Sequence, residues 1–384
     1  MEEVKMSWRK RLLSFLKKET ILCIAAVLAL LSLFLVPPDA GYAEYIDVST
    51  LGLLFTLMVV MEGLRSLGVF DTIAHVMLKK ANSLRRLAYS LVFLCFFCAM
   101  LITNDVALIT FVPFTLLLLS LAGQKEQAIP IVVLETVAAN LGSMLTPVGN
   151  PQNLFLYSVS GMELTRFLSV TAPIAAISAV LLILACLRIP KQSIRLELEE
   201  KNKEDRQKEE KGKQIKIIFF LAIFLLALLT VLKILPLWIP FLLALVGTLI
   251  VMRGVLLRVD YCLLLTFVCF FVFIGNVGRI EAVSTFLKAA LTGREILLSF
   301  LASQIISNVP ATVLLSGFTE NFEGLLLGAN IGGLGTLIAS LASLISYKYF
   351  AQAEPQKKGK YLWHFTLVNI VFAVILLAFA LLLY

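Results

Sequence analysis

Charge is scarce in this sequence. Asp, Glu, Lys and Arg make up 15% of its 384 residues, against about 25% in ordinary soluble domains, and histidine occurs only as the isolated His75 and His364. That shortage excludes several kinds of chemistry. No nucleophile stands beside a base, so a hydrolase has nothing to work with. A glycine-rich phosphate loop is also missing, which argues against a primary pump. The six cysteines, Cys23, Cys95, Cys98, Cys186, Cys262 and Cys269, all lie inside apolar segments. Cys95 and Cys98 have redox-motif spacing but no further ligands nearby, so they read as packing residues and no metal site is expected. The few polar residues do not supply the continuous lining that a channel needs. No enzymatic activity is expected.

Apolar residues are abundant. They make up 60% of the chain, with a mean hydropathy of +0.94, and several runs approach or exceed the ~18 residues that mark a spanning helix. The expected fold is an all-α polytopic membrane protein. Its first apolar run, 20–37, follows a basic start, but it is long for a signal peptide and Pro37-Pro38-Asp39 is no small-residue cleavage site. An uncleaved first helix is therefore expected.

Hydropathy places spans at 20–37, 46–64, 128–158, 167–188, 216–234, 237–252, 259–278, 324–346 and 361–384. Two further apolar stretches, 87–122 and 296–318, are interrupted by polar clusters: Thr103-Asn104-Asp105 and Ser307-Asn308-Val309-Pro310. Polar non-helical backbone at membrane depth is tolerated only where it is buried in protein or lines a cavity. Each stretch reads as a re-entrant hairpin, which gives about nine spans plus two hairpins. With the N-terminus cytoplasmic and the C-terminus outside, every Lys and Arg except Arg166, Lys233, Arg279, Lys288 and Arg294 falls on the inner side, as the positive-inside rule requires. The net charge of +8 is thus topogenic and faces lipid headgroups, and no nucleic-acid partner is expected.

The chain divides into a cytoplasmic segment 1–19, a first membrane repeat 20–189, a charged cytoplasmic linker 190–215, and 216–384, an extra helix plus a second repeat. The two repeats match in order. Thr103-Asn104 corresponds to Ser307-Asn308, Ala139-Asn140-Leu141-Gly142 to Ala329-Asn330-Ile331-Gly332, and Thr146 to Thr336. The helix 216–234 between the halves makes the repeat inverted, an arrangement known from secondary transporters. Each half also carries a broken helix. In the first, Thr146-Pro147-Val148-Gly149-Asn150-Pro151-Gln152-Asn153 sets two prolines and a glycine at membrane depth, which frees carbonyls and amides to coordinate an ion or substrate. In the second, Asn330 and Thr336 sit in a glycine-rich stretch that also permits close helix packing. Asp105 is a carboxylate at membrane depth and must be paired, hydrated or neutralised. It either handles a proton, holds a cation or caps the returning arm of its hairpin. Glu135, in the helix leading to Asn140, faces the same cavity or lies nearer the cytoplasm.

Thr103-Asn104-Asp105-Val106-Ala107-Leu108 with Pro113, together with Thr146-Pro147-Val148-Gly149-Asn150-Pro151-Gln152-Asn153, resembles the ion-transporter superfamily of divalent anion:sodium symporters, citrate transporters, arsenite-efflux permeases and one class of sodium/proton antiporters. The resemblance runs from about residue 20 onward. It implies a scaffold domain and a moving transport domain that work as an elevator, with hairpin tips that bind cation and substrate. Thr103, Asn104, Ser307 and Asn308 match the first two positions of the paired tip triplets. Asp105 and Val309 stand where carboxylate transporters place threonine, which argues against a dicarboxylate.

The expected function is that of a secondary permease of the plasma membrane for a small anionic or neutral oxyacid solute, coupled to sodium or protons, with no other cofactor. A sodium/proton antiporter and an arsenite-type efflux permease are the alternatives. The candidate binding residues are Thr103, Asn104, Asp105, Asn140, Thr146, Gly149, Asn150, Asn153, Ser307, Asn308, Asn330 and Thr336, and a coupling sodium would sit at Thr103, Asn104 and Gly149. The bilayer is the expected partner, and a homodimer is an open arrangement.

Overall fold

The computed structural model describes residues 19–70, 72, 83–193 and 207–384. Residues 1–18, 71 and 73–82 and the centre of the expected linker lie outside them. Apart from one bridge between Ser83 and Ser193, the described residues hold no β-structure. This is what the bilayer demands, because a helix satisfies all of its backbone groups within one segment.

In chain order the helices are α1 (Thr20–Leu35), α2 (Val48–Ser66), α3 (Leu84–Ile102), α4 (Asn104–Leu121), α5 (Ala128–Ser143), α6 (Pro151–Ser160), α7 (Leu164–Cys186), α8 (Gln207–Val231), the interrupted α9 (Trp238–Arg258), α10 (Tyr261–Gly278), α11 (Glu281–Leu291), α12 (Glu295–Ile306), α13 (Asn308–Ser316), α14 (Phe322–Ile331), α15 (Leu341–Ala353) and α16 (Lys358–Leu383). Eight described helices are long and apolar enough to cross a membrane: α2, α3, α4, α7, α8, α9, α10 and α16. α11 and α12 would add a ninth only as one span bent by 112°.

Local chemistry sets the boundaries. Asp47 caps α2, its Oδ1 accepting the Thr50 N–H at 3.0 Å. Asn150 caps α6 by accepting the Asn153 N–H at 2.9 Å, with Pro151 in the first turn, where its missing N–H leaves no bond unmade. Gly161 ends the same helix in the left-handed region, at φ 66°. Beyond α1, the Arg279 guanidinium bonds Asp39 at 2.5 Å and holds its carboxyl below the usual carboxylate range, while lying over the Tyr45 ring.

Three expectations of extent change. α1 has 16 residues, about 24 Å, and falls short of the ~30 Å hydrocarbon core. The arms on either side of Thr103 have 19 and 18 residues, so each is itself long enough to cross, whereas those around Ser307 have 12 and 9 and are not. α8 begins at Gln207, inside the stretch assigned to the linker, because its mixed charges do not interrupt the helix that the apolar run continues.

Contacts fix the relative directions of the central helices. Phe96 meets Gly142, and Met100 accepts a hydrogen bond from Thr146, so α3 and α5 run side by side in the same direction. Asn104 bonds Asn140 and Thr115 bonds Glu135, so α4 runs back. In the second half Ile296 meets Gly328 and Ser303 meets Gly332, so α12 and α14 are parallel. The Glu295 carboxylate at the start of α12 accepts from Thr319 at 3.1 Å and Asn321 at 3.2 Å, tying the end of the returning arm to its beginning.

α7 links the two groups. Arg166 at one end forms a two-bond ion pair with Glu323 at the start of α14, both at 2.6 Å. Beyond its other end the Ile189 carbonyl accepts from Arg85 at the start of α3, at 2.7 Å. The helix of 23 residues between them is about 35 Å long.

Candidate functional site

Two backbone positions stand out. Thr103 adopts φ 68° and ψ 149°, and Ser307 adopts φ 73° and ψ 152°, both in a region that normally requires glycine. Strain of this kind, of order 1–3 kcal/mol per residue, persists only where surrounding structure enforces it, and it clusters at functional sites. The enforcement is the same at both tips. The Asn104 N–H donates to the Gly149 carbonyl at 3.2 Å, and the Asn308 N–H to the Ala339 carbonyl at 2.9 Å. The Thr146 hydroxyl donates to the Met100 carbonyl, and the Thr336 hydroxyl to the Gln304 carbonyl at 3.1 Å. Met100 and Gln304 each precede the tip asparagine by four positions. Each tip is therefore sewn to the break of its neighbouring helix by equivalent bonds.

Between the two breaks lies a crossed pair of asparagines. The Asn330 Oδ1 accepts from Asn150 Nδ2 at 3.0 Å, and Asn330 Nδ2 donates to Asn153 Oδ1 at 2.7 Å. Asn140 does the reciprocal thing. Its Oδ1 accepts from the Ser340 hydroxyl at 3.0 Å, and its Nδ2 donates to the Ser343 hydroxyl at 3.1 Å. At the register that aligns Asn140 with Asn330, Asn150 falls on Ser340 and Asn153 on Ser343. Each asparagine thus binds the same two positions of the opposite half. Asn104 joins this layer, donating to Asn140 Oδ1 at 3.0 Å. All of these side chains are buried.

Helix ends converge on the same layer. α4, α6, α13 and α15 begin there, after Thr103, Asn150, Ser307 and Ser340, and α3, α5, α12 and α14 end there. Each helix start carries about half a positive charge, and each helix end the opposite. A small anion suits the former and a cation suits the carbonyls of the latter.

Of the residues expected at the site, Asn104, Asn140, Asn150, Asn153 and Asn330 are bonded into one layer, and Gly149, Ser307 and Asn308 border it through the tips. Asn153 also donates to the carbonyls of Ser143, Met144 and Thr146, closing the first break. The hydroxyls of Thr146 and Thr336 do not point into the layer. Both are spent on hairpin carbonyls, and Thr336 is exposed. Asp105 lies half-buried in the first turn of α4, where a carboxylate is favoured by the helix end. At this tip the Asp105 N–H donates to Asn104 Oδ1 at 3.0 Å, and the helix start at Thr103 has no side-chain cap bond. Sequence reasoning missed Ser143, Ser340, Ser343 and Gln304. The register of the two asparagine motifs would have found the serines at 340 and 343.

Residues 8–321 match the family model described as "Citrate transporter". The chain is 34% identical over 336 residues to an uncharacterized transporter of Methanocaldococcus jannaschii, covering 87% of this chain and 90% of that one. Over 323 residues it is 30% identical to the inner membrane protein YbiR of Escherichia coli, covering 83% and 84%. A shorter similarity, 32% over 152 residues, covering 39% of this chain and 30% of the relative, is to the silicon efflux transporter LSI3 of Oryza sativa subsp. japonica. With the family model spanning most of its length and two relatives matched nearly end to end, the chain belongs to the citrate transporter family, within the ion-transporter superfamily.

Proposed function

We propose that the protein is a secondary active transporter that carries a small anion or neutral oxyacid across the plasma membrane, coupled to sodium or protons, with the asparagine layer as its binding site. The observation that carries this reading is the convergence of four helix starts and four helix ends on two strained tips. Helix starts suit an oxyanion or polarised oxyacid, and carbonyl-lined helix ends suit a coupling cation, with Thr103, Asn104 and Gly149 as the candidate sodium ligands. The match to a silicon efflux transporter favours efflux of a neutral oxyacid as the second reading.

Several observations support inverted repeats with re-entrant hairpins. Each asparagine binds equivalent positions of the other half, and the two hairpin bases lie at opposite ends of α7. Beyond the first tip, α6 continues for ten residues, about 15 Å, and beyond the second α15 continues for 13, about 20 Å. Both tips then stop short of the far face, and the long arms around Thr103 form a deep hairpin. Alternating access follows if the unit holding both tips slides against the remaining helices. In this reading the N-terminus is cytoplasmic and the C-terminus outside. Cysteines placed at Gln124 and Glu320 in a cysteine-free chain should react with an impermeant maleimide from the cytoplasm and from outside respectively. Labelling of both from one side would refute the inversion.

Function is tested in proteoliposomes under separately imposed sodium and proton gradients, with citrate, arsenite and silicic acid as solutes. Asn104→Ala and Asn308→Ala are each expected to reduce uptake of whichever solute the parent moves by at least about 30-fold, the effect of roughly 2 kcal/mol of lost hydrogen bonding. Parental rates in either variant would remove that tip from the site.

A further inference from the structure

The asparagine layer does not use the most deeply buried carboxyl group among the described residues. Glu135 lies in α5 and has no exposed surface. Its Oε1 accepts from the Thr115 hydroxyl of α4 at 2.5 Å, and its Oε2 has no hydrogen-bond partner. The groups facing it are the Cys95 thiol of α3, Thr115 of α4 and, from α16, the Tyr361 hydroxyl. The only titratable ones are Cys95 and Tyr361. Among the described residues no Lys, Arg or His pairs with it.

A bare carboxylate in such a place would be uncompensated by several kcal/mol, so the group has to be neutralised by a proton or by a cation. The surroundings decide which. A sodium ion wants several oxygen ligands, whereas the partners of the carboxylate are one hydroxyl, that of Thr115, and the Cys95 thiol. A proton needs one oxygen, and Oε2 is free to take it. Glu135 also sits within one helix length of the layer. α5 carries it five residues before Asn140, and α4 joins Thr115 to the Thr103 tip. The same two helices therefore position both the carboxyl and the tip.

We infer that Glu135 is the proton-carrying residue of the transporter, loading and releasing a proton at Oε2 as the unit holding the tips changes sides. This rests on the transporter reading, and the test has an arm that does not. In the first arm, purified protein in vesicles of phosphatidylethanolamine and phosphatidylglycerol is followed by infrared difference spectroscopy as bulk pH is stepped. The parent should show a protonated-carboxyl band that appears and disappears with pH, and Glu135→Gln should lack it. A band that is unchanged in Glu135→Gln, or one assigned to Glu135 that never responds to pH, overturns the inference whether or not any solute is moved.

In the second arm, Glu135→Gln should keep exchange of labelled solute across the vesicle within about twofold of the parent, while accumulation driven by a proton gradient falls at least tenfold. Glu135→Asp should restore part of it with a shifted pH profile. A buried clasp between α4 and α5 with no part in coupling would lower folded yield but leave the pH profile of the surviving protein in place. Accumulation by Glu135→Gln equal to the parent's, with the same pH profile, overturns the assignment. If the parent moves none of citrate, arsenite and silicic acid, the substrate reading fails and the infrared arm still decides Glu135.

Discussion

Asn330→Leu should abolish transport and lower the thermal stability of the purified protein, although leucine fills nearly the same volume. The reason lies in the groups left behind. Asn330 is 2% exposed, and its amide serves Asn150 and Asn153 of the opposite half at 3.0 and 2.7 Å. Leucine leaves the Asn150 Nδ2 with only Ser143 and the Asn153 Oδ1 without Asn330, in a medium that offers no water in exchange. The orphaned Asn153 Oδ1 costs about 1–3 kcal/mol and the bond lost at Asn150 about 0.5–1.5 kcal/mol, together a large part of the stability of a typical fold. Asn140→Leu should behave alike, since it strands Ser340, Ser343 and Asn104. The measurements are fluorescence-detected thermal unfolding in detergent and solute uptake in vesicles. If Asn330→Leu melts and transports like the parent, the cross-bonded layer neither joins the halves nor forms the site.

Most of the membrane architecture was legible because hydropathy is a local signal. α2, α7, α10 and α16 begin and end within a few residues of where apolar runs predict, and the breaks at 144–150 and 332–340 follow from Pro147, Gly149 and the glycines after Asn330. The tip asparagines were legible because polar residues rarely interrupt apolar runs without a purpose. What escaped notice depends on pairing across sequence distance. Ser340 and Ser343 look like small packing residues until Asn140 is known to lie against them. The bonds from the Thr146 and Thr336 hydroxyls to the Met100 and Gln304 carbonyls are likewise something no local pattern shows. Glu135 could be placed a little over one turn from Asn140 by helical spacing, but its hydroxyl partner, Thr115, comes from the preceding helix, and that bond does not follow from periodicity.

Gly149→Ala should be a severely damaging single-methyl change, and the residue at its mirror position provides the control. A Cβ at Gly149 would lie 2.1 Å from the Ser143 carbonyl oxygen and 2.8 Å from the atoms behind it, all backbone. No side chain can swing aside to relieve such a contact, so the turn from Ser143 to Asn150 must open. That turn places the Gly149 carbonyl that receives the Asn104 N–H, and Asn150, which caps α6 and bonds Asn330. Opening it releases the strained Thr103 tip and one side of the asparagine layer together. The corresponding residue of the second half is Ala339, which already carries a Cβ, is fully buried and still accepts from the Asn308 N–H. Ala339→Gly should therefore lower stability by only about 0.5–1 kcal/mol through added backbone freedom and leave uptake nearly parental. Gly149→Ala is expected to lose uptake below detection and to melt well below Ala339→Gly. Equal melting and uptake in the two variants would show that the first break tolerates a side chain, and would remove the tight turn from the account of how the Thr103 tip is held.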